Sequence, residues 1–266
     1  MKFKKLIKKH LVGKLPIKYQ LIIERIYLDK FVKDYVEMEI NVIKQLCNPG
    51  KISLDIGANR GVFTIFMSQY SSHVYCFEPI PWLCELLKEK FKGQNVSVRN
   101  YALGNENREK ILNIPIDGVE KIDTRSSFIE DIFNDNILGI KVTEFQKLAV
   151  KVRKLDDLKI NDIGFMKIDV EGFECEVIKG GKETIEREKP NIYIEIEQRY
   201  HKYRRIEDIF KYIESLGYYG YFILGNELIN TDEFEVERMQ DDLNEKSKEF
   251  VNNFIFTPHK IDVCLI

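Results

Sequence analysis

Apolar residues recur at three- and four-residue steps over the first part of the chain. Leu21, Ile22 and Ile26 share a register with Arg25 and Asp29, followed by Tyr35, Met38, Glu39 and Val42. That is the spacing of one helix face, and it predicts helical structure to about Cys47. Pro49 and Gly50 of "CNPG" then break the pattern. From there, strand-like runs alternate with helix-length segments. "KISLDI" (51–56), "HVYCFE" (73–78) and "NVSVRNYAL" (95–103) read as strands. "GVFTIFMSQY" (61–70) and the amphipathic "WLCELLKEKF" (82–91) read as the helices between them. Such alternation predicts βαβ units around a parallel sheet.

Residues 104–151 interrupt this rhythm with a mixed, polar segment, in which "EKILNI" and "KLAVKV" are short strand candidates. The alternation then resumes. "IGFMKID" (163–169), "NIYIEIE" (191–197) and "YYGYFIL" (218–224) read as strands. "ECEVIKGGKETIEREK" (174–189) reads as a single helix, and "RIEDIFKYIESL" (205–216) as a helix stopped by Gly217. "NNFIFTP" and "KIDVCLI" close the chain as two further strand candidates. The expected organisation is a helical extension over 1–47 and one α/β domain over 48–266, with 104–151 inserted into it.

The totals agree with one large domain: 266 residues, 44% hydrophobic, 32% charged, formal net charge −2. This balance exerts no global pull on nucleic acid or membrane. No extended basic stripe interleaved with aromatics occurs after the first 30 residues, so a nucleic-acid partner is not expected. Those 30 residues carry nine Lys/Arg against Glu24 and Asp29, while 226–250 carry nine Asp/Glu against Arg238, Lys246 and Lys248. The start lacks the apolar run of a signal peptide, and no window reaches the roughly 18 apolar residues of a membrane span. A solvated amphipathic helix is the plainer reading of the first segment. A weak membrane-surface contact through Phe3, Leu6, Ile7 and Leu11 is the sharper one. Cys47, Cys76, Cys84, Cys175 and Cys264 form no CxxC pair and read as reduced thiols of a cytoplasmic protein.

Three strand ends carry acids, and in open α/β sheets ligands sit at the carboxyl ends of strands. The first is "LDIGANRG". Gly57 permits a tight turn, and Gly61 lets the next helix begin close to the strand. A dinucleotide loop would read GxGxxG, whereas this one reads Gly57-Ala58-Asn59-Arg60-Gly61, with Asp55 two residues before it. A carboxylate there repels a pyrophosphate and suits a cationic ligand, an ammonium or a sulfonium. The second is Glu78 in "VYCFEP", about 20 residues after the loop, where an acid takes ribose hydroxyls. The third is "FMKIDVEGFE", with Asp169 over the same crevice and Glu171 and Glu174 around Gly172. Acids gathered at one strand end serve proton transfer or a metal. The metal version needs further oxygens, from Glu171 or Glu195, and is not expected. Glu174 also reads simply as a helix-start acid favoured by the dipole.

Taken together, "LDIGANRG", "CFEPIP", "NYALG", "RKLDDL", "MKIDVEGFECEVIKGG" and "KPNIYIEIE" resemble, in order and spacing, the FkbM-type methyltransferases, over roughly residues 50–200. The resemblance implies the class I fold, a seven-stranded mixed sheet in the order 3-2-1-4-5-7-6 with helices on both faces. It implies S-adenosylmethionine as cofactor, with Asp55, Gly57, Asn59 and Gly61 around its methionine part, Glu78 on the ribose, and Tyr101 and Ala102 beside the adenine. It implies methyl transfer to a hydroxyl of a natural product or sugar. Cell-surface polysaccharide synthesis at the cytoplasmic face is a setting that would also give the basic N-terminus a role. Asp169 is the first candidate base. His201, after the next strand, is the second, and Glu171 stands beside Asp169. Arg125, Ser126 and Ser127 of "DTRSSF" fall where such enzymes build acceptor contacts, although a polar surface loop reads equally well. Tyr200, Tyr203, Tyr218 and Tyr219 offer aromatic faces to a sugar, and Tyr218 and Tyr219 fit a core equally. Two other readings stand beside this one: an NAD-dependent oxidoreductase, and a methyltransferase fold kept only as a binding module.

Overall fold

The computed structural model describes residues 15–21, 37–117, 120–121, 125–128, 142, 144–240 and 249–261. The N-terminal apolar positions Phe3 to Leu11, Asp123, residues 241–248 of the acidic stretch 226–250 and the last strand candidate beyond Ile261 lie outside them. Helix α1 (Glu37–Leu46) leads into β1 (Ile52–Ile56), α2 (Val62–Met67), β2 (His73–Phe77), α3 (Pro81–Lys90) and β3 (Val96–Arg99). After the insertion come β8 (Ile163–Ile168), α4 (Glu174–Gly180), α5 (Lys182–Glu188), β9 (Asn191–Glu195), α6 (Ile206–Ser215), β10 (Tyr219–Leu224), β11 (Glu227–Asn230), α7 (Val236–Met239) and β12 (Asn253–Thr257). The insertion itself carries β4 (Ala102–Leu103), β5 (Arg108–Asp117), β6 (Glu120–Lys121) and β7 (Glu144–Arg153).

The main sheet has eight strands, in the order β11-β10-β12-β9-β8-β1-β2-β3. The expected seven-strand order is carried by β3, β2, β1, β8, β9, β12 and β10. The eighth strand, β11, folds back as an antiparallel hairpin on β10 and was not anticipated in the acidic stretch. β12 runs antiparallel between β9 and β10, while β3, β2, β1, β8 and β9 are all parallel. The central parallel strands β1, β8 and β9 are mostly buried and therefore read as largely apolar runs, whereas the edge strand β3 is only partly covered. Alternate residues sort to opposite sides. Met166, Ile192, Ile194, Phe254 and Phe256 join the α4–α6 side with Val177, Ile185 and Phe210. Phe165, Tyr193 and Ile255 join the α1 side with Val42, Ile43 and Leu46. The end of the N-terminal helical stretch is thus a layer of the sheet domain. Asn191 locks it there, its side-chain amide donating to the Leu46 carbonyl at 3.0 Å.

Three elements differ from expectation. The run 95–103 is two strands: the chain leaves β3 after Arg99, and Ala102–Leu103 joins the second sheet instead. The expected helix 174–189 is broken at Gly181, which ends α4 and begins α5. A side chain there would press on Leu155 at 2.9 Å, and one at Gly180 would strike the Gly104 carbonyl oxygen at 1.8 Å. The two glycines let the insertion's root lie directly on the helix. Finally, the short strand candidates of the insertion are two ten-residue strands paired antiparallel from Arg108↔Val152 to Ile116↔Glu144, in a sheet ordered β4-β7-β5-β6. Its Leu112, Ile114 and Val150 pack with Ile80 and Leu83 of the main domain. Among the described residues no helix is long and apolar enough to cross a membrane, and Cys47, Cys76, Cys84 and Cys175 are buried free thiols.

Candidate active site

The loop after β1 turns through three left-handed residues, Gly57 (φ 81°), Asn59 (φ 47°) and Gly61 (φ 72°). Asn is among the few side chains that adopt this region without large cost. Gly57 is held tightly: its N–H and that of Ala58 donate to the Phe77 carbonyl at 3.0 and 3.2 Å. A Cβ on Gly57 would fall 1.8 Å from the Asp169 carbonyl oxygen. The ends of β1, β2 and β8 therefore converge at one point. A cleft of 460 Å³ opens over it, walled by Gly57, Asn59, Glu78, Lys167, Asp169 and Glu195, with Ala102, Leu112 and Ser126 contributed from the insertion side. This is a volume within the usual range of small-ligand sites.

Glu78 is 3% exposed. Its two carboxylate oxygens accept the Asn59 and Ile80 backbone N–H groups, each at 2.8 Å. The loop and the exit of β2 are thereby tied to one side chain at the cleft wall. Asp169 is 3.0 Å from Lys167 Nζ. Lys167 also lies 4.7 Å from the centre of the Phe63 ring. Burial works against the lysine's charge, but the carboxylates of Asp169 and Asp55 overcome it and hold its pKa above the usual value. Glu171 and Glu195 line the same cleft. Burial first, and then the negative charge of Asp169, push both well above the ordinary carboxylate range.

Glu171 adopts φ 52° and Gly172 φ 96°, so the chain reverses sharply after β8. Three neighbours fix that turn. Ser127 Oγ donates to the Glu171 carbonyl at 2.6 Å, Tyr200 hydrogen-bonds the Glu171 carboxyl, and Glu174 accepts the Gly172 N–H at 2.9 Å. Ser127 is itself pinned to β5 by a reciprocal backbone pair with Asn113.

The structure brings Gly57, Asn59, Glu78, Ala102, Ser126, Asp169 and Glu171 to the cleft. It sets the other candidates elsewhere. Asp55 is 1% exposed beneath the loop, where Thr64 donates to one of its oxygens and the other has no hydrogen-bond partner. Burial raises its pKa, opposed by Lys167. Gly61 faces Leu87 of α3 and Phe91 at its end. Tyr101 packs on Phe77 with ring centres 5.7 Å apart. Ser127 is fully buried behind the wall, and Arg125 is half-buried outside the lining. His201 is buried against Glu174 at 3.0 Å and opens onto a neighbouring groove, not the cleft. Of the four tyrosines, Tyr200 and Tyr218 are buried, while Tyr203 and Tyr219 are exposed.

Lys167 was missed, although strand alternation puts it on the same face as Asp169, two residues away. Asn252 was missed for a different reason. It reaches the cleft because β12 runs antiparallel and delivers its beginning to the carboxyl ends of its neighbours. There its side chain donates to Glu195 at 2.9 Å and Glu197 at 3.1 Å.

A family model described as the methyltransferase FkbM domain matches residues 55–219. "Methyltransferase 1" of Beauveria bassiana (strain ARSEF 2860) is 23% identical over 141 residues, 48% of this chain and 57% of that protein. A methyltransferase FkbM from Methylobacillus flagellatus KT superposes with TM-score 0.48 at 17% identity, over 79% of this chain and 44% of that one. SMU.1697c from Streptococcus mutans, solved in complex with SAH, superposes with TM-score 0.47 at 10% identity, over 84% and 97%. The chain thus spans little more than half the length of the curated relative, and less than half that of the Methylobacillus protein.

Proposed function

This chain belongs to the FkbM methyltransferase family, and on that premise we propose that it transfers the methyl group of S-adenosylmethionine to a hydroxyl of a small molecule or glycan. The observation that carries the reading is the meeting of Glu78, Lys167-paired Asp169, Glu171 and Glu195 in one cleft at the carboxyl ends of the parallel strands. The donor set suits the cofactor. Acidic side chains outnumber basic ones in the lining, which suits a sulfonium cation, and Glu78 stands where ribose hydroxyls are taken. When bound, the cofactor supplies an electrophilic methyl group.

The chain's own residues do the rest. Glu78, fixed by two backbone N–H groups, orients the ribose. Phe63, Phe128 and Phe173 exclude water from the cleft walls. Asp169 accepts the proton of the acceptor hydroxyl, and Lys167 keeps it in place by gripping Oδ2. Glu171 and Glu195, whose pKa values burial and the charge of Asp169 raise, line the same wall and offer their carboxyl groups to acceptor oxygens. Positioning of the acceptor oxygen within near-attack distance supplies much of the remaining rate enhancement.

A screen with methyl-labelled S-adenosylmethionine over sugar nucleotides, glycosides and polyketide alcohols tests the reaction, with label expected on an acceptor oxygen. Calorimetry with both cofactors tests the site: tight NAD binding without S-adenosylmethionine binding would overturn the reading in favour of an oxidoreductase.

A further inference from the structure

Beside the cleft lies a second cavity, a groove of 690 Å³. The two share a wall. Phe128 and Phe173, with ring centres 4.7 Å apart, line both. They are joined again by Tyr200, which lines the groove and hydrogen-bonds Glu171 of the cleft. The charge of the two cavities is opposite. Among the cleft's charged side chains acids prevail, Glu39, Glu78, Asp169, Glu171 and Glu195 against Arg60 and Lys167, whereas the groove presents Arg108, Lys110, Lys202 and Arg204 against Glu106, which pairs with both Arg108 and Lys110, and Glu176, 3.8 Å from Arg204. In a chain of net charge −2 this local excess of cations is not background.

The cations come from two places that the fold brings together. Arg108 and Lys110 lie two apart on β5 and so share a face, and Lys110 Nζ sits 5.0 Å from the centre of the Phe173 ring, on the shared wall. Lys202 and Arg204 follow β9 across the groove. Between them Tyr203 is 84% exposed, an aromatic face with Lys202 Nζ 5.9 Å from its ring centre.

We infer that this groove binds the anionic end of the acceptor, a phosphate-bearing sugar such as a nucleotide-linked or phosphorylated glycosyl unit. The cations hold the phosphate, Tyr203 lies against a ring, and the hydroxyl to be methylated reaches past Phe128 and Phe173 toward Asp169. The assignment rests on the methyltransferase reading of the adjoining cleft. It divides the site by charge, with a cationic donor in the acidic cleft and an anionic acceptor in the basic groove.

Calorimetry on the full chain without cofactor tests it, with UDP-glucose, glucose 1-phosphate and the uncharged methyl glucoside as probes. The two phosphate-bearing probes are expected to bind, more weakly at about 0.5 M salt, and the methyl glucoside to bind far less well. The double variant Lys202→Glu, Arg204→Glu should weaken the phosphate-bearing probes by about tenfold or more, in line with loss of charge-assisted hydrogen bonds, and leave S-adenosylhomocysteine affinity unchanged. Should the double variant lose its cooperative thermal transition, Lys202→Glu alone, at an exposed position, carries the same expectation in smaller measure. Equal affinity for charged and uncharged sugars, unchanged binding by the variant, or binding to anionic phospholipid vesicles in place of the soluble probes would overturn the proposal. Failure of the wild-type chain to bind S-adenosylhomocysteine would instead count against the methyltransferase reading, so the two failures are distinguishable.

Discussion

At the scale of single residues, the cleft is organised by how its carboxylates are partnered. Asp169 has a cation at 3.0 Å, while Glu171 and Glu195 are carboxyl groups whose burial raises their pKa. Asp169→Asn keeps the shape and removes the proposed proton acceptor. Labelled methyl transfer should fall by about 10²–10⁴-fold, with S-adenosylhomocysteine affinity, read by calorimetry, largely kept. A pH effect on stability follows from Glu195. Its folded pKa lies above the unfolded value near 4.5, so the native state binds the proton more tightly. That contribution is fully present below the unfolded value and is lost as pH rises through the folded one. Glu195→Gln retains an oxygen for Asn252 and removes the titration. Its Tm relative to wild type should therefore rise more at pH 8 than at pH 4, and an equal shift at both would refute the assignment. Asp55 shows the limit of reading a residue by its place in a motif. An acid before a glycine turn is visible in the sequence, but Thr64 and Lys167, which surround it in a closed interior, are 9 and 112 residues away.

At the scale of elements, close backbone approaches decide where the site's parts meet. α4 lies on the root of the insertion because Gly180 has no side chain, its Cβ position being 1.8 Å from the Gly104 oxygen. Gly180→Ala gains helix propensity but must push the insertion away. Urea denaturation should show a net loss of about 2 kcal/mol or more, of the size seen when a core contact is overpacked. A stabilised Gly180→Ala protein would show that the two segments are not in fixed contact. The strand and helix pattern exposed β1, β2, β8, β9, β10 and β12 through runs of buried apolar residues. It did not expose the division of 174–189 at Gly181, nor the departure of Ala102 from β3. Both depend on a partner distant in sequence: Leu155 for the first and Val152 for the second.

At the scale of the whole molecule, the cleft is a seam between two sheets. Gly57, Glu78 and Asp169 belong to the main sheet's strand ends, and Ala102, Leu103 and Leu112 to the second sheet. A ligand bound there links both. S-Adenosylhomocysteine at about 100 times its Kd should add about 2.7 kcal/mol to unfolding. It should also raise the thermal transition seen by Trp82 fluorescence, on α3 of the main domain, together with that seen by far-UV circular dichroism. A rise in one signal only would mean that the sheets unfold independently and that the ligand touches one of them.

What the sequence determined by itself is the set of local preferences: which runs bury two faces, which helices bury one, where glycines allow left-handed turns, and that Glu78 and Asp169 stand at strand ends. These are legible because side-chain periodicity follows directly from backbone geometry. Only the tertiary structure decided that Asp55 is enclosed, that His201 faces the neighbouring groove, that Asn252 arrives from a reversed strand, and that the insertion's sheet closes the cleft. Each of these depends on strand order, strand direction or the contact of segments far apart in the chain. Such contacts are set by the packing of the whole core, and no local pattern of apolar and polar residues encodes them.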